Sequence, residues 1–202
     1  MQMKIYGDAL SGNCYKVKLT AELLGLSYEW SDIDILQGQT KSESFQQKSF
    51  AGKIPLLELA DGRVLGESNA IINYLAHGSS LLSEDPFVLA KIQQWQFFEQ
   101  YSHEPYIAVA RFIQLYQGLP KSRLDEYKEK QKQGYQALNV IEKQLAFTDF
   151  LVNNSLTTAD ISLYAYTHVA PEGGILLDNY PKIRAWIERV EALPGYVKIG
   201  YL

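Results

Sequence analysis

Three short stretches bring together side chains whose types and spacing could do chemistry. Ser11-Gly12-Asn13-Cys14 follows the first strand-like run and opens a helical pattern. A helix start offers unpaired N–H groups and a partial positive charge, a good place to hold a thiolate or another anion. Ser11 and Asn13 are also strong N-cap types, and capping alone accounts for either. Cys14 falls in the first helical turn, before an apolar face, where a lone cysteine behaves as a small buried hydrophobe. Lys53-Ile54-Pro55 comes just before a strand-like run. A cis bond there would turn the Ile54 backbone toward a peptide-like ligand, although a proline can equally just open an edge strand. Glu67-Ser68 precedes another helical pattern. An acid beside a hydroxyl at a helix start can hold the α-amine and α-carboxylate of an amino acid, or merely cap.

A fourth stretch, Thr157-Thr158-Ala159-Asp160, has capping-box spacing, with a Thr side chain and an acid three residues apart. It reads as structural.

The elements that must position these groups fall into two halves. Lys4 to Asp8 reads as a strand, Cys14 to Leu24 as a helix stopped at Gly25, and Tyr28 to Ile35 as a half-buried strand. A polar stretch from Gln37 to Ser49 reads as a loop with a short irregular helix. Leu56 to Leu59, Asp61-Gly62 and Val64-Leu65 make a hairpin pattern, and Ser68 to Ala76 is helical again. The order is βαβαββα, with helices on both faces of a mixed sheet. Residues 79–86 are short, polar and rich in turn formers, and nothing after them reads as a strand. Phe87 to about Tyr116 is helical in pattern with a kink expected at Pro105, and helices follow at Lys121 to Ala146, Thr158 to His168 and Pro181 to Leu193. This gives an α/β domain over 1–78, a linker over 79–86 and an all-α domain over 87–202.

Composition excludes several functions. The chain has 202 residues, 47% hydrophobic and 21% charged, with a net charge of −4 and no basic cluster, so neither a nucleic acid nor a membrane is expected as partner. One cysteine cannot form an internal disulfide, and the start lacks a secretory pattern. A cytoplasmic location is expected.

Taken in order and spacing, SGNC after the first strand, KIPLLEL, ESNAI and TTADISL resemble a cytosolic glutathione transferase over nearly the whole chain. The resemblance implies a thioredoxin-like domain that binds glutathione and a helical domain that contributes most of the electrophile pocket. By that resemblance Ser11 matches the hydroxyl that hydrogen-bonds the glutathione sulfur. Ile54 matches the residue that pairs its backbone with the cysteinyl unit, and Glu67 and Ser68 match the pair that holds the γ-glutamyl group. Lys53 and Lys41 fall where polar or basic residues meet the glycyl carboxylate. Asp160 matches the family's capping-box aspartate. Tyr15, Tyr106, Arg111 and Phe112 are candidates for the electrophile pocket, and simple packing suits them equally. In thioredoxin-like folds the attacking position begins the loop, which here belongs to Ser11, while Cys14 takes the second, more buried place.

There are departures from the family pattern. Asn153-Asn154 stands where a glycine is frequent, and Tyr6 is a poor match to the tyrosine-type hydroxyl. Ser11-x-Asn13 is similar to the Thr-x-Asn of the bacterial Nu-like class, associated with disulfide reduction, which adds Asn13 to the glutathione-binding residues. The resemblance implies glutathione as co-substrate, no permanent cofactor, no metal and a homodimer. Three functions follow: conjugation of glutathione to small hydrophobic electrophiles, glutathione-dependent reduction of disulfides or peroxides, or a non-catalytic interaction module. Ser11 together with Glu67-Ser68 disfavours the last, which has no use for γ-glutamyl contacts.

Overall fold

A computed structural model of the chain describes residues 2–200. Its contacts divide it into two units, one of Met1–His77 with Leu193–Leu202 and one of Gly78–Ala192. The segment from Leu193 onward therefore joins the first unit, whereas sequence reading assigns it to the helical domain.

In the first unit β1 (Met3–Gly7) is followed by α1 (Gly12–Leu23), β2 (Tyr28–Asp32), the single turn α2 (Glu43–Gln46), β3 (Leu56–Glu58), β4 (Val64–Leu65) and α3 (Ser68–Ala76). The sheet order is β2-β1-β3-β4, with β1 parallel to β2 and antiparallel to β3. This is the expected βαβαββα thioredoxin-like arrangement. Ile5, Leu56 and Leu57 from the sheet, Val17, Leu19 and Ala21 from α1 and Ile71, Ile72 and Ala76 from α3 form its core. Gly7 ends β1 where a side chain has no room: an added Cβ would lie 2.8 Å from the Trp30 ring and 3.0 Å from Cys14 Cβ. Gly25, at φ +62°, ends α1 in the left-handed turn expected of it.

The tail from Leu193 packs on α1. Val197 offers its carbonyl to the Tyr15 hydroxyl at 2.8 Å, and the Gly200 N–H donates to the Ala9 carbonyl at 3.0 Å.

The second unit is all helical. α4 (Pro86–Phe98) starts under an Asp85 cap, whose carboxylate accepts the N–H groups of Phe87 and Val88 at 3.0 and 2.9 Å. The kink expected at Pro105 takes a particular form. Over Glu99–His103 the helix widens by one residue per turn, so that the Glu104 N–H reaches the Glu99 carbonyl five residues back. Proline has no N–H and displaces the carbonyl of the preceding turn, and one inserted residue relieves both conflicts. α5 (Glu104–Arg111) continues from there into a second widened turn at Phe112–Tyr116.

Next come α6 (Leu124–Leu145), α7 (Thr158–Thr167) and α8 (Pro181–Glu191). α7 is buried on every side. Its capping box forms as expected: the Thr157 N–H and hydroxyl donate to Asp160 Oδ2 at 2.9 and 3.0 Å. The other oxygen, Oδ1, accepts Leu151 N–H at 2.8 Å and Trp186 Nε1–H at 3.1 Å, so one carboxylate ties α7 to the preceding turn and to α8. Asn153 and Asn154, both near φ +54°, supply the left-handed turn for which the family often uses glycine. Among the described residues no helix is long and apolar enough to cross a membrane.

Candidate active site

The topology of the first unit brings its chemical residues to one end of the sheet. β1 and β2 run parallel, so the loops after Gly7 and after Asp32 leave from the same end. β3 runs the other way and begins there: Leu56 pairs with Tyr6, which puts Ile54-Pro55 beside the exit of β1. β4 is antiparallel to β3, with Leu65 opposite Leu57, so Glu67-Ser68 also emerges at that end. The loop bearing Ser11, the Lys41 segment, Lys53-Ile54 and Glu67-Ser68 therefore share the end where β1 stops.

Ser11 is the N-cap of α1. Its backbone is extended (φ −73°, ψ 123°), and its Oγ accepts the Cys14 N–H at 3.4 Å. The Ser11 hydroxyl also lies beside the Cys14 thiol and pulls its pKa down. Capping uses an acceptor lone pair of the hydroxyl and leaves its proton free to rotate toward another partner. Cys14 is fully buried, and burial pushes its thiol up to about 12, a shift that the Ser11 hydrogen bond only partly offsets. At neutral pH this thiol is protonated and inert.

At the next corner the Ile54–Pro55 bond is cis. Buried Ser49 holds the residue before it from both sides: the Lys53 N–H donates to Ser49 Oγ at 3.2 Å, and the Ser49 hydroxyl donates to the Lys53 carbonyl at 3.3 Å. The side chains of Lys53 and Lys41 are exposed. Lys41 closes a short 3-10 turn, Gln39–Lys41.

Glu67 is the most unusual backbone here, at φ +64° and ψ +112° without being glycine. A left-handed φ on an acid with a Cβ is uncommon and strained, and such residues cluster at functional sites. Its carbonyl accepts the Ile71 N–H at 2.9 Å, opening α3, and its side chain is exposed. The next residue, Ser68, is buried, and its hydroxyl donates to Asn13 Oδ1 at 3.1 Å. That bond joins the starts of α1 and α3, two of the stretches singled out in sequence.

The four electrophile-pocket candidates belong to different units. Tyr15 is 2% exposed and spends its hydroxyl on Val197 within the first unit. In the second unit Arg111 is buried and paired with Glu172 at 2.6 Å, Phe112 stacks on Tyr116, and the Tyr106 ring lies under Lys130 Nζ at 5.2 Å.

One site neighbour escapes sequence reading. Lys16 is 0% exposed, with Nζ 3.5 Å from Ser68 Oγ. The signal for it lies in α1: apolar residues surround the lysine on both sides in Cys14-Tyr15-Lys16-Val17, and a helix buried all round takes its charges inside with it.

Two family models match the chain: the glutathione S-transferase N-terminal domain over residues 5–80 and the C-terminal domain over residues 95–194. The chain belongs to the glutathione S-transferase family. Membership agrees with individual relatives. The chain is 32% identical to the glutathione S-transferase-like protein LUC7 of Fusarium sp, over 92% of this chain and 87% of that one. Its structure matches that of a glutathione S-transferase from Pseudomonas fluorescens Pf-5 at TM-score 0.97 and 58% identity, covering 98% and 99% of the two chains. It also matches the glutathione transferase URE2P6 of Phanerochaete chrysosporium, solved in complex with oxidized glutathione, at TM-score 0.86 and 25% identity over 96% and 92%. The two family models fall on the α/β half and the helical half, which the elements alone already separate.

Proposed function

We propose that the chain binds glutathione at the β1 end of its first unit and activates the bound thiol through Ser11 for attack on small hydrophobic electrophiles. The observation that carries this is the link between Ser68 and Asn13 beside the strained Glu67, together with Ser11 at the adjoining helix start. An exposed acid, a hydroxyl and two helix starts together match the charges of a γ-glutamyl tripeptide with an ionised thiol. Glu67 takes the α-ammonium, Ser68 and the first N–H groups of α3 take the α-carboxylate, and the Ile54 backbone takes the cysteinyl unit. Lys53 and Lys41 reach the glycyl carboxylate from solvent. The sulfur then lies near the Ser11 hydroxyl, whose proton turns to the thiolate. The inert Cys14 makes glutathione, not the protein, the nucleophile in this reading.

The hydroxyl alone supplies little rate. Lowering a thiol's pKa from about 8.5 by ~2 raises its thiolate fraction at pH 7 ~25-fold. Intrinsic nucleophilicity falls about 6–10-fold over the same change, leaving a gain of a few-fold. Most acceleration must come from holding sulfur and electrophile together. Tyr106 and Phe112 of the helical unit are our candidates for holding the electrophile. The active species is proposed to be a homodimer in the cytoplasm.

A second reading, reduction of small disulfides with glutathione, is favoured by Asn13. Its side chain is anchored by Ser68 two residues from Ser11, which suits a site that must hold a sulfur on either side of a disulfide exchange. The deciding experiment assays both reactions in parallel, with a chromogenic aryl halide and with a small disulfide, each under excess glutathione. Retention on immobilised glutathione with neither activity would leave a binding module, and no retention would remove the glutathione site altogether.

A further inference from the structure

Lys16 is a charged residue in a helix whose other buried side chains are mostly apolar. Its side chain is wholly buried in α1, and burying an ammonium carries a desolvation cost that its polar partners must offset. Its Nζ lies 3.5 Å from Ser68 Oγ, at the outer limit of a hydrogen bond, and the Ser68 hydroxyl in turn donates to Asn13 Oδ1 at 3.1 Å. The resulting chain runs from the ammonium to the hydroxyl to the amide oxygen, across the starts of α1 and α3. On the solvent side of the same turn stands the exposed carboxylate of Glu67. A cation beneath and an acid outside make a charge pattern complementary to a zwitterionic α-amino acid head, with its carboxylate directed inward.

We propose that Lys16 is a positioning residue for the α-carboxylate of the γ-glutamyl end, acting through Ser68; this rests on reading the first unit as a glutathione site. The ammonium polarises the Ser68 hydroxyl and so strengthens it as a donor, since hydrogen bonds in a chain reinforce one another in a low dielectric. When a carboxylate arrives, the Ser68 proton swings to it from Asn13 Oδ1, and the buried positive charge favours the added negative charge at close range. Lys16 touches neither the sulfur nor the electrophile, so its effect belongs to ligand binding and not to the thiol's acidity.

The test compares wild type, Lys16→Met and Lys16→Gln on two ligands by calorimetry: glutathione, and an analogue in which a 4-aminobutyryl group replaces the γ-glutamyl group and so lacks only the α-carboxylate. Wild type should prefer glutathione over the analogue by roughly ten- to a hundredfold, the span of a hydrogen bond to a charged group. Both variants should lose most of that preference through weaker glutathione binding, with analogue affinity unchanged. The pKa of the bound thiol, followed by thiolate absorbance, and turnover at saturating glutathione should stay at wild-type values. A purely structural role for Lys16 would weaken both ligands alike, and that outcome overturns the proposal, as does undiminished preference in either folded variant. If wild type binds glutathione no better than the analogue, the γ-glutamyl site itself is misplaced. If wild type discriminates and the variants still do, only the role of Lys16 fails.

Discussion

The Cys14 backbone N–H donates to the Ser11 Oγ at 3.4 Å, and the same Ser11 hydroxyl meets the Cys14 thiol, so the only cysteine and the hydroxyl beside it share one helix start with opposite fates. Burial holds the thiol protonated up to about 12, while Ser11 remains half-exposed. The native protein should therefore resist a chromogenic disulfide reagent at pH 8 and release one equivalent of chromophore only in denaturant. Cys14→Ser should keep most of its turnover. Rapid labelling of the native chain together with loss of activity in that variant would make it a cysteine-type, thiol-transfer enzyme.

Ser11→Ala should show two separable losses. As a cap its removal costs about 1 kcal/mol of stability, read from the urea midpoint. As a donor to a thiolate it is worth ~1.5–3 kcal/mol, so the pKa of bound glutathione should rise by roughly one to two. The pH–rate profile under saturating glutathione should move alkaline by that amount. A profile identical to wild type would assign thiolate stabilisation to Asn13 or to backbone N–H groups.

Glu67→Gly should separate stability from binding. Glycine adopts φ +64° without a Cβ penalty, so the variant should unfold about 1 kcal/mol harder than wild type. The same change removes the acid opposite the ligand's ammonium, and glutathione affinity should fall by at least about tenfold. Thermal unfolding and calorimetry on one preparation read both effects. A variant that is less stable yet binds normally would contradict both halves.

Two buried groups in the helical unit set opposing pH trends. Burial pushes Asp160 up from 3.8 to about 6, against the pull of the hydrogen bonds it accepts. Burial likewise pulls His168 down from 6.5 to about 4, although its hydrogen bond to the Tyr164 carbonyl works the other way. For Asp160 the folded value lies above the unfolded one, so its contribution is full below pH 3.8 and lost as the pH rises through 6. For His168 the folded value lies below, so its contribution is full above pH 6.5 and lost as the pH falls through 4. Each trend is worth about 3 kcal/mol over nearly the same window, and in the wild type they largely cancel.

Asp160→Asn should lose roughly 2–4 kcal/mol at neutral pH, because an amide NH2 then faces donors, and it should lose further stability on acidification. His168→Phe should instead gain stability relative to wild type as the pH falls from 6 to 4, the interval over which Asp160 takes up its proton. Urea midpoints across that range check both signs.

What could be read in the sequence was whatever repeats locally. α3 occupies Ser68–Ala76, the span its apolar spacing predicts, and the capping box of α7 is legible from four adjacent residues. The widened turns around Pro105 were legible only as a kink, since a one-residue insertion leaves the apolar periodicity on either side intact. The return of the tail to α1 had no local signal, because Val197 meets Tyr15 across 182 positions of chain. At the site, Ser11 and Glu67-Ser68 stood out by residue type. The positive φ of Glu67 did not, since no rule of composition places an acid in a glycine conformation. Lys16 was hidden for a related reason: a lysine reads as solvated until the helix carrying it is known to be buried all round.

The tail also fixes an order of events. Leu193 and the residues after it complete the first unit, with Gly195 pressed so close to α1 that an added Cβ would lie 2.9 Å from the Glu22 carbonyl oxygen. During synthesis the α/β half emerges first, but the tail that packs on its α1 follows only after the whole helical half has been made behind it. The domain translated first is thus the one whose last packing segment is translated last.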